Sequence, residues 1–273
     1  MKSIISRVRL EAHFPIALIV SVAFTLSACT TTDTSRTATS IVPVLSQERI
    51  AEIIASPDRS ATDRANDAQR KPDQMLTFIG VRAGMVALDL SAGGGYTTEL
   101  LSRAVGPAGR VYGQSAPRGP TSPQRLTSLQ ALTERAKNPL VANIIPVVRT
   151  FEEPVPHEVA AGGLDLVTLI FNYHDLGHMG VDRNRMNNAL FAALKSGGLF
   201  VIADHSGRPG TGISEAATLH RIEEAFLRQE LESAGFKLAG QGNFWSNPSD
   251  SRDKNTPEAG QPKDGFVLKF VRP

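Results

Sequence analysis

The sequence predicts a doubly wound α/β protein built on a mostly parallel sheet of seven strands. Two patterns carry this expectation. Short apolar runs alternate with helical stretches along residues 85–271, the rhythm of parallel strands joined by crossover helices. A glycine-rich turn, Ser91-Ala92-Gly93-Gly94-Gly95, follows the first such run and opens a helix. Composition agrees. Of 273 residues, 41% are hydrophobic and 21% charged, which suits a globule and excludes a fibrous, low-complexity or multi-span membrane chain.

The globule is not expected to begin at the first residue. Lys2, Arg7 and Arg9 precede an apolar run over residues 14–26, too short for an ordinary spanning helix and of the length of a signal-peptide core. The run ends in Leu26-Ser27-Ala28-Cys29, which resembles the bacterial lipobox. That resemblance implies cleavage before Cys29 and a diacylglycerol on its thiol, a lipid anchor on a membrane surface. Thr30 carries no retention signal, so the implied destination is the periplasmic side of the outer membrane. Residues 1–28 are thus read as a lipoprotein signal peptide, 29–45 as the lipidated cysteine and a flexible Thr-rich tether, and 46–273 as a single domain.

Cys29 is the sole cysteine, so neither an intrachain disulfide nor a Cys-based zinc site is possible. The net charge is +2, and loss of Lys2, Arg7, Arg9 and Glu11 with the leader makes the mature chain neutral. With no basic excess and 6% aromatics, no nucleic acid is expected as a partner.

Within the globule, Ser46 caps a short helix over residues 46–55 with Ile50, Ile53 and Ile54 on one face. A polar helical stretch over 59–79 is interrupted or restarted near Pro72. Residues 85–90 form the first strand, 96–105 a helix, 106–109 a turn and 110–114 the second strand. Residues 123–137 are helical, 143–148 and 164–171 are the third and fourth strands, and 182–194 is a helix closed by a glycine cap at Gly197-Gly198. The fifth strand follows at 199–203, then one long helix over 214–234. Residues 236–239 and 265–271 are the last two strands, and 245–263 reads as a surface loop.

In such folds ligands sit beyond the C-terminal ends of the strands. Three glycines let the backbone turn sharply and approach a ligand, and the helix opening near Tyr96 aims free N–H groups at the same space. A nucleotide-like ligand follows. A dinucleotide fingerprint needs a small residue where Thr98 stands, which sets aside an NADP reading through Ser115 and Arg118.

The motif Asp89-Leu90-Ser91-Ala92-Gly93-Gly94-Gly95 resembles motif I of class I S-adenosylmethionine (SAM) methyltransferases, with Ser91 replacing the first glycine. LDLVTLIFNYHDL resembles the fourth strand of that Rossmann-like fold and the loop after it, ALKSGGLFVIAD the helix end and fifth strand, and FVLKF the antiparallel last strand. YTTELLSRAVGPAGRVY, NYHDL, DHSGRPG and LHRIEEAFLRQELESAGF resemble a group of bacterial methyltransferases known from sequence, many exported. The resemblance implies SAM as cofactor. It places Asp89 near the methionyl amine, and Ser91, Ala92, Gly93, Gly94, Gly95 and Tyr96 against the methionyl and ribose parts. Phe151 and Glu152 fall at the adenine, and Asn172 follows the fourth strand. The second strand of the family usually ends in an acid that grips the ribose. Here it ends in Gln114, which lacks the charge-assisted strength of a carboxylate.

Methyl transfer needs an aligned nucleophile and a group to take its proton. His174 is the first candidate base, with Asp175 orienting it or acting alone; His205, beside Asp204 after the fifth strand, is the second. Arg208 is placed to bind an acidic acceptor. His174, His178 and His205 lack metal-ligand spacing, so no metal is expected. The implied activity is methyl transfer to a small-molecule acceptor. The alternative is a non-catalytic, methyltransferase-like ligand-binding lipoprotein, favoured by Gln114.

Overall fold

The computed structural model describes residue 11 and residues 43–117, 123–257 and 263–273. The rest of the leader, Cys29, the tether up to residue 42 and Arg118 lie outside them. Residues Ile41–Pro273 form one compact unit.

Three helices come first: α1 (Gln47–Ile54), α2 (Ala61–Arg70) and α3 (Pro72–Ile79). Ser46 caps α1 as its sequence implies, accepting from the Arg49 N–H at 3.2 Å. Helix breaks at Lys71, which takes a left-handed φ of 46°, because Pro72 disfavours the right-handed helical conformation in the residue before it. The alternation then runs β1 (Val86–Leu90), α4 (Tyr96–Val105), β2 (Arg110–Ser115), α5 (Pro123–Arg135), β3 (Ile144–Val148), β4 (Leu164–Ile170), α6 (Tyr173–His178), α7 (Arg183–Ala193) and β5 (Leu194–His205). It ends with α8 (Ala216–Leu219), α9 (Glu224–Ser233), β6 (Lys237–Gly242) and β7 (Gly265–Val271).

Among the described residues the seven strands form one sheet in the order β3-β2-β1-β4-β5-β7-β6. The first five are parallel, and β7 runs antiparallel to both β5 and β6. Alternate residues of each strand serve opposite faces. Leu88, Leu90, Val167, Leu169, Phe200 and Ile202 pack under α6, α7 and α9. Ala87, Val111, Leu166, Val201 and Val267 pack under α1, α3 and α4. Both faces are covered, so the strands read as continuous apolar runs. Each fully buried Leu or Ile contributes about 1.5–3 kcal/mol of hydrophobic stabilisation.

Four elements differ from the sequence expectation. The stretch 172–175, expected as a loop, turns at once into α6, which is short and seated on its buried Tyr173, His174 and Leu176. Helix α7 is not closed by glycine. Leu194 is already extended, pairs with Leu164, and opens β5; Gly197 and Gly198 form a bulge stitched to Arg272 at 2.8 and 2.9 Å.

The expected long helix over 214–234 is two helices. His220 adopts a left-handed φ of 53°, and Ile222 pairs with Ser206 as an isolated bridge. The cause is Arg221, which is wholly buried on Asp250 at 2.8 Å and also donates to the carbonyls of Ser206 and Lys254. Finally, residues 245–263 are not merely a surface loop. Trp245 packs into the core cluster beside β7, and its indole N–H donates to the Gln69 carbonyl at 3.2 Å.

Candidate active site

The β1–α4 junction builds the glycine turn as expected. Gly93 and Gly95 have φ of 56° and 90°, values that L side chains avoid. Their surroundings differ. A Cβ at Gly95 would lie 2.8 Å from Leu132 Cδ1, so Gly95 serves close packing against α5; a Cβ at Gly93 would meet the Ser91 carbonyl oxygen at 4.0 Å, an ordinary contact. Ser91 also sits at positive φ, 54°, in the place where the resemblance puts glycine.

Two cavities flank this turn. One, of about 200 Å³, is lined by Asp89, Ser91, Ala92, Gly93, Gly94 and Tyr96, together with Asp63, Arg70 and Arg135. The other, of about 180 Å³, is lined by Ser91, Gly93, Gln114, Phe151 and Asn172, with Ser115, Asp175 and Met179. The structure thus brings most of the expected cofactor set together. Gly95 and Glu152 are the exceptions and line neither cavity: Gly95 packs against Leu132, and Glu152 accepts from the N–H of Asp182 at the start of α7.

Asp89 is buried and accepts from the hydroxyls of Thr98 and Thr168 at 2.6 and 2.7 Å. Burial pushes its carboxyl up to about 6, against the pull of those hydroxyls and of Arg70. No described residue forms an ion pair with it. Arg70, across the same cavity, also lacks an ion pair among the described residues; its guanidinium lies over the rings of Tyr96 and Phe171 at 5.6 and 5.5 Å. The cavity therefore offers one carboxylate and one guanidinium that act on each other electrostatically but form no ion pair among the described residues, which is the charge pattern of a zwitterion's complement.

An alternating chain of charges fixes the α2 wall of this cavity. Asp58 and Glu99 hold Arg103, while Glu99 and Asp63 hold Arg135, whose Nε donates to the Gly94 carbonyl at 2.9 Å. Arg59 pairs with Asp67, which also accepts from the Tyr96 hydroxyl at 2.7 Å. These contacts tie the glycine turn to helices that precede it by decades of residues.

Gln114 is wholly buried, and both ends of its amide are engaged. Oε1 accepts from Ser91 N–H at 2.9 Å and Nε2 donates to the Arg149 carbonyl at 2.7 Å. It braces the floor of the second cavity rather than offering a free ribose ligand.

The three candidate catalytic side chains separate. His174 is 3% exposed and lies between carboxylates, Nδ1 at 2.6 Å from Asp204 and Nε2 at 3.3 Å from Asp175. Burial alone would lower its pKa, but Asp204 and Asp175 more than offset this and hold it at about 10. It is an imidazolium at neutral pH and has no free lone pair to take a proton. Asp175 faces the second cavity, accepts from Asn172 at 2.6 Å, and is held below its ordinary pKa by His174, His178 and His220 despite burial.

His205 alone of the three lines a larger cleft of about 860 Å³ beyond β5. Its ring stacks on Phe171 at 4.8 Å, and burial pushes its pKa down to about 4, so it is neutral at pH 7. Of the two histidines, His205 is the neutral one and the one that lines a cleft. Arg208 pairs with Glu215 on the surface.

Sequence reasoning missed Arg70, Asp63, Arg135, Trp245 and Lys263. Charged residues on a polar helix or in a loop leave no periodic signal; only the fold shows that they converge.

No family model and no curated protein matches the sequence. Solved structures do. A SAM-dependent methyltransferase from Aquifex aeolicus is 17% identical, with a TM-score of 0.56 over 84% of this chain and 100% of that one. A chain of the Haloferax volcanii complex between the Trm112 methyltransferase activator and a candidate methyltransferase is 16% identical, with a TM-score of 0.55 over 84% and 99%. The fold is the Rossmann-like fold of class I methyltransferases. On that fold, this chain carries the glycine turn and the paired cavities described above.

Proposed function

We propose that the chain is a SAM-dependent methyltransferase acting on a small-molecule acceptor. The observation that carries this reading is the pairing of Asp89 with Arg70 in the cavity beside the glycine turn. The methionyl end of SAM is a zwitterion, and its ammonium and carboxylate would meet these two groups. Gly93 leaves the space that a side chain would fill. Phe151, Asn172 and Ser115 offer the second cavity to the nucleoside.

SAM, when bound, supplies a methyl group on a sulfonium whose C–S bond breaks with its electron pair kept by sulfur. The chain's own part is to orient and to manage one proton. His205, neutral and facing the larger cleft, takes the proton of the acceptor's hydroxyl or amine as that atom bonds to the methyl carbon. His174, charged and locked between Asp204 and Asp175, ties the start of α6, capped by Asn172, to the end of β5, which carries His205.

Calorimetry with S-adenosylhomocysteine tests the reading. Saturable binding that Asp89→Asn weakens supports it, and absence of binding to the wild-type chain overturns it. Binding of SAM without release of its methyl group would favour the non-catalytic alternative.

The same proposal puts the chain on the periplasmic side of a bacterial outer membrane, held by lipid at Cys29. The lipobox-like Leu26-Ser27-Ala28-Cys29 supports this. Cys29→Ser should move the protein from the membrane fraction to the soluble one.

A further inference from the structure

The cleft that His205 faces has its own chemistry. It shares Arg70 with the cofactor cavity. One wall is aromatic: Phe171 stacks on His205 with planes 21° apart, and Trp245 meets Phe171 edge-on at 4.8 Å. Phe171 holds this position with a left-handed φ of 58°, a strain that bulky residues keep where the surroundings over-determine it. The cleft is also lined by Arg70, whose guanidinium lies over the Phe171 ring, and by Lys71 and Lys263, and none of the described residues lining it is acidic.

These cations are poorly compensated. Lys71 donates to the Phe244 carbonyl, which is neutral. Lys263 and Arg70 form no ion pair with any described residue. Burial holds Arg70 below its ordinary pKa despite the pull of Asp89. If the methionyl carboxylate takes Arg70, Lys71 and Lys263 still leave the cleft positive. Cations gathered in a concave, partly desolvated site attract counter-charge strongly.

We infer that the acceptor is a small molecule bearing an oxyanion, carboxylate or phosphate ester, on a flat apolar body. The oxyanion lies between Lys263 and Lys71, and the flat body lies against the edges of Phe171 and Trp245, since His205 and Arg70 already lie over the Phe171 ring. The assignment of this ligand as a methyl acceptor rests on the methyltransferase reading; the anion site itself does not. Its position beside His205 brings the acceptor's nucleophile to the one candidate base that opens on the cleft.

Trp245 is the only tryptophan of the chain and stands in the cleft wall, so its fluorescence reports occupancy directly. The full-length protein is titrated with benzoate, phenyl phosphate and neutral benzamide. Saturable quenching by benzoate or phenyl phosphate, with none by benzamide, is the expected result, and the tighter of the two names the headgroup. Lys263→Gln should weaken that binding roughly tenfold, the scale of one charge-assisted contact, and Lys263→Glu should abolish it. Lys263 makes no ion pair with a described residue and lines neither cofactor cavity, so S-adenosylhomocysteine binding should stay unchanged in both variants. Equal quenching by benzamide, or wild-type benzoate affinity in Lys263→Glu, overturns the inference. Loss of S-adenosylhomocysteine binding with the benzoate response intact overturns the cofactor reading instead.

Discussion

Ser91 and Gln114 touch: the backbone N–H of Ser91 donates to Oε1 of Gln114 at 2.9 Å. These are the two positions at which the chain departs from the methyltransferase pattern, serine for glycine in the turn and glutamine for an acid at the end of β2. The departures are one feature. The amide at 114 is spent holding the turn at 91 and, through Nε2, the strand end at Arg149.

Gln114→Ala leaves both backbone groups without partners and should cost about 2 kcal/mol or more, read by urea unfolding. Gln114→Glu restores the usual acid but sets a carboxylate against the Arg149 carbonyl. It should lower the melting temperature and bring no gain in S-adenosylhomocysteine affinity. A tighter complex would show that the glutamine is a weakened ribose ligand after all.

Asp89 should make cofactor binding pH-dependent. Burial raises its pKa to about 6, above its unfolded value, so ionising it costs stability, and the free protein loses that stability as pH rises through about 6. A ligand ammonium removes the cost. Thermal stabilisation by S-adenosylhomocysteine should therefore be larger above pH 6 than below it. Asp89→Asn should raise the melting temperature of the free protein at neutral pH and weaken the ligand at least about tenfold.

His174 should stabilise the fold as a cation. Its pKa is about 10 against an ordinary 6.5, so this support is complete below about pH 6.5 and fades as pH climbs through 10. His174→Gln should destabilise the protein by about 3 kcal/mol at neutral pH, the cost of unpairing a buried charge. The gap between wild type and variant should close toward pH 10. A gap independent of pH would mean that His174 is neutral.

Arg221→Met should strand the Asp250 carboxylate, which is 4% exposed, and release the carbonyls of Ser206 and Lys254. We expect a loss of about 3–5 kcal/mol and a red-shifted Trp245 emission, because the segment pinned by Asp250 carries that indole. Unchanged emission would detach the anchor from the cleft wall.

Strands β1, β4 and β7 were legible because they are buried on both faces and therefore almost wholly apolar. The glycine turn was legible because left-handed backbone restricts composition. What escaped was non-local. Leu194 pairs with Leu164 although polar residues follow it. The helical spacing of Leu219, Ile222 and Phe226 hides a break set by Arg221, whose partner lies decades of residues away. Arg70 and Lys263 became site residues only when α2 and the β6–β7 connection met over Phe171. The relative merits of His174 and His205 turned on which ring the fold buried between carboxylates.

The long excursion between β6 and β7 has a consequence for how such a protein diversifies. It supplies Trp245 and Lys263 but no part of the glycine turn or of the two cavities beside it. On the proposed reading, recognition of the molecule to be modified would be carried on this excursion, while the donor's berth belongs to the frame. Exchange of that crossing, with its Trp245 seat and its Asp250 anchor kept, would re-tailor the clientele and leave the engine intact.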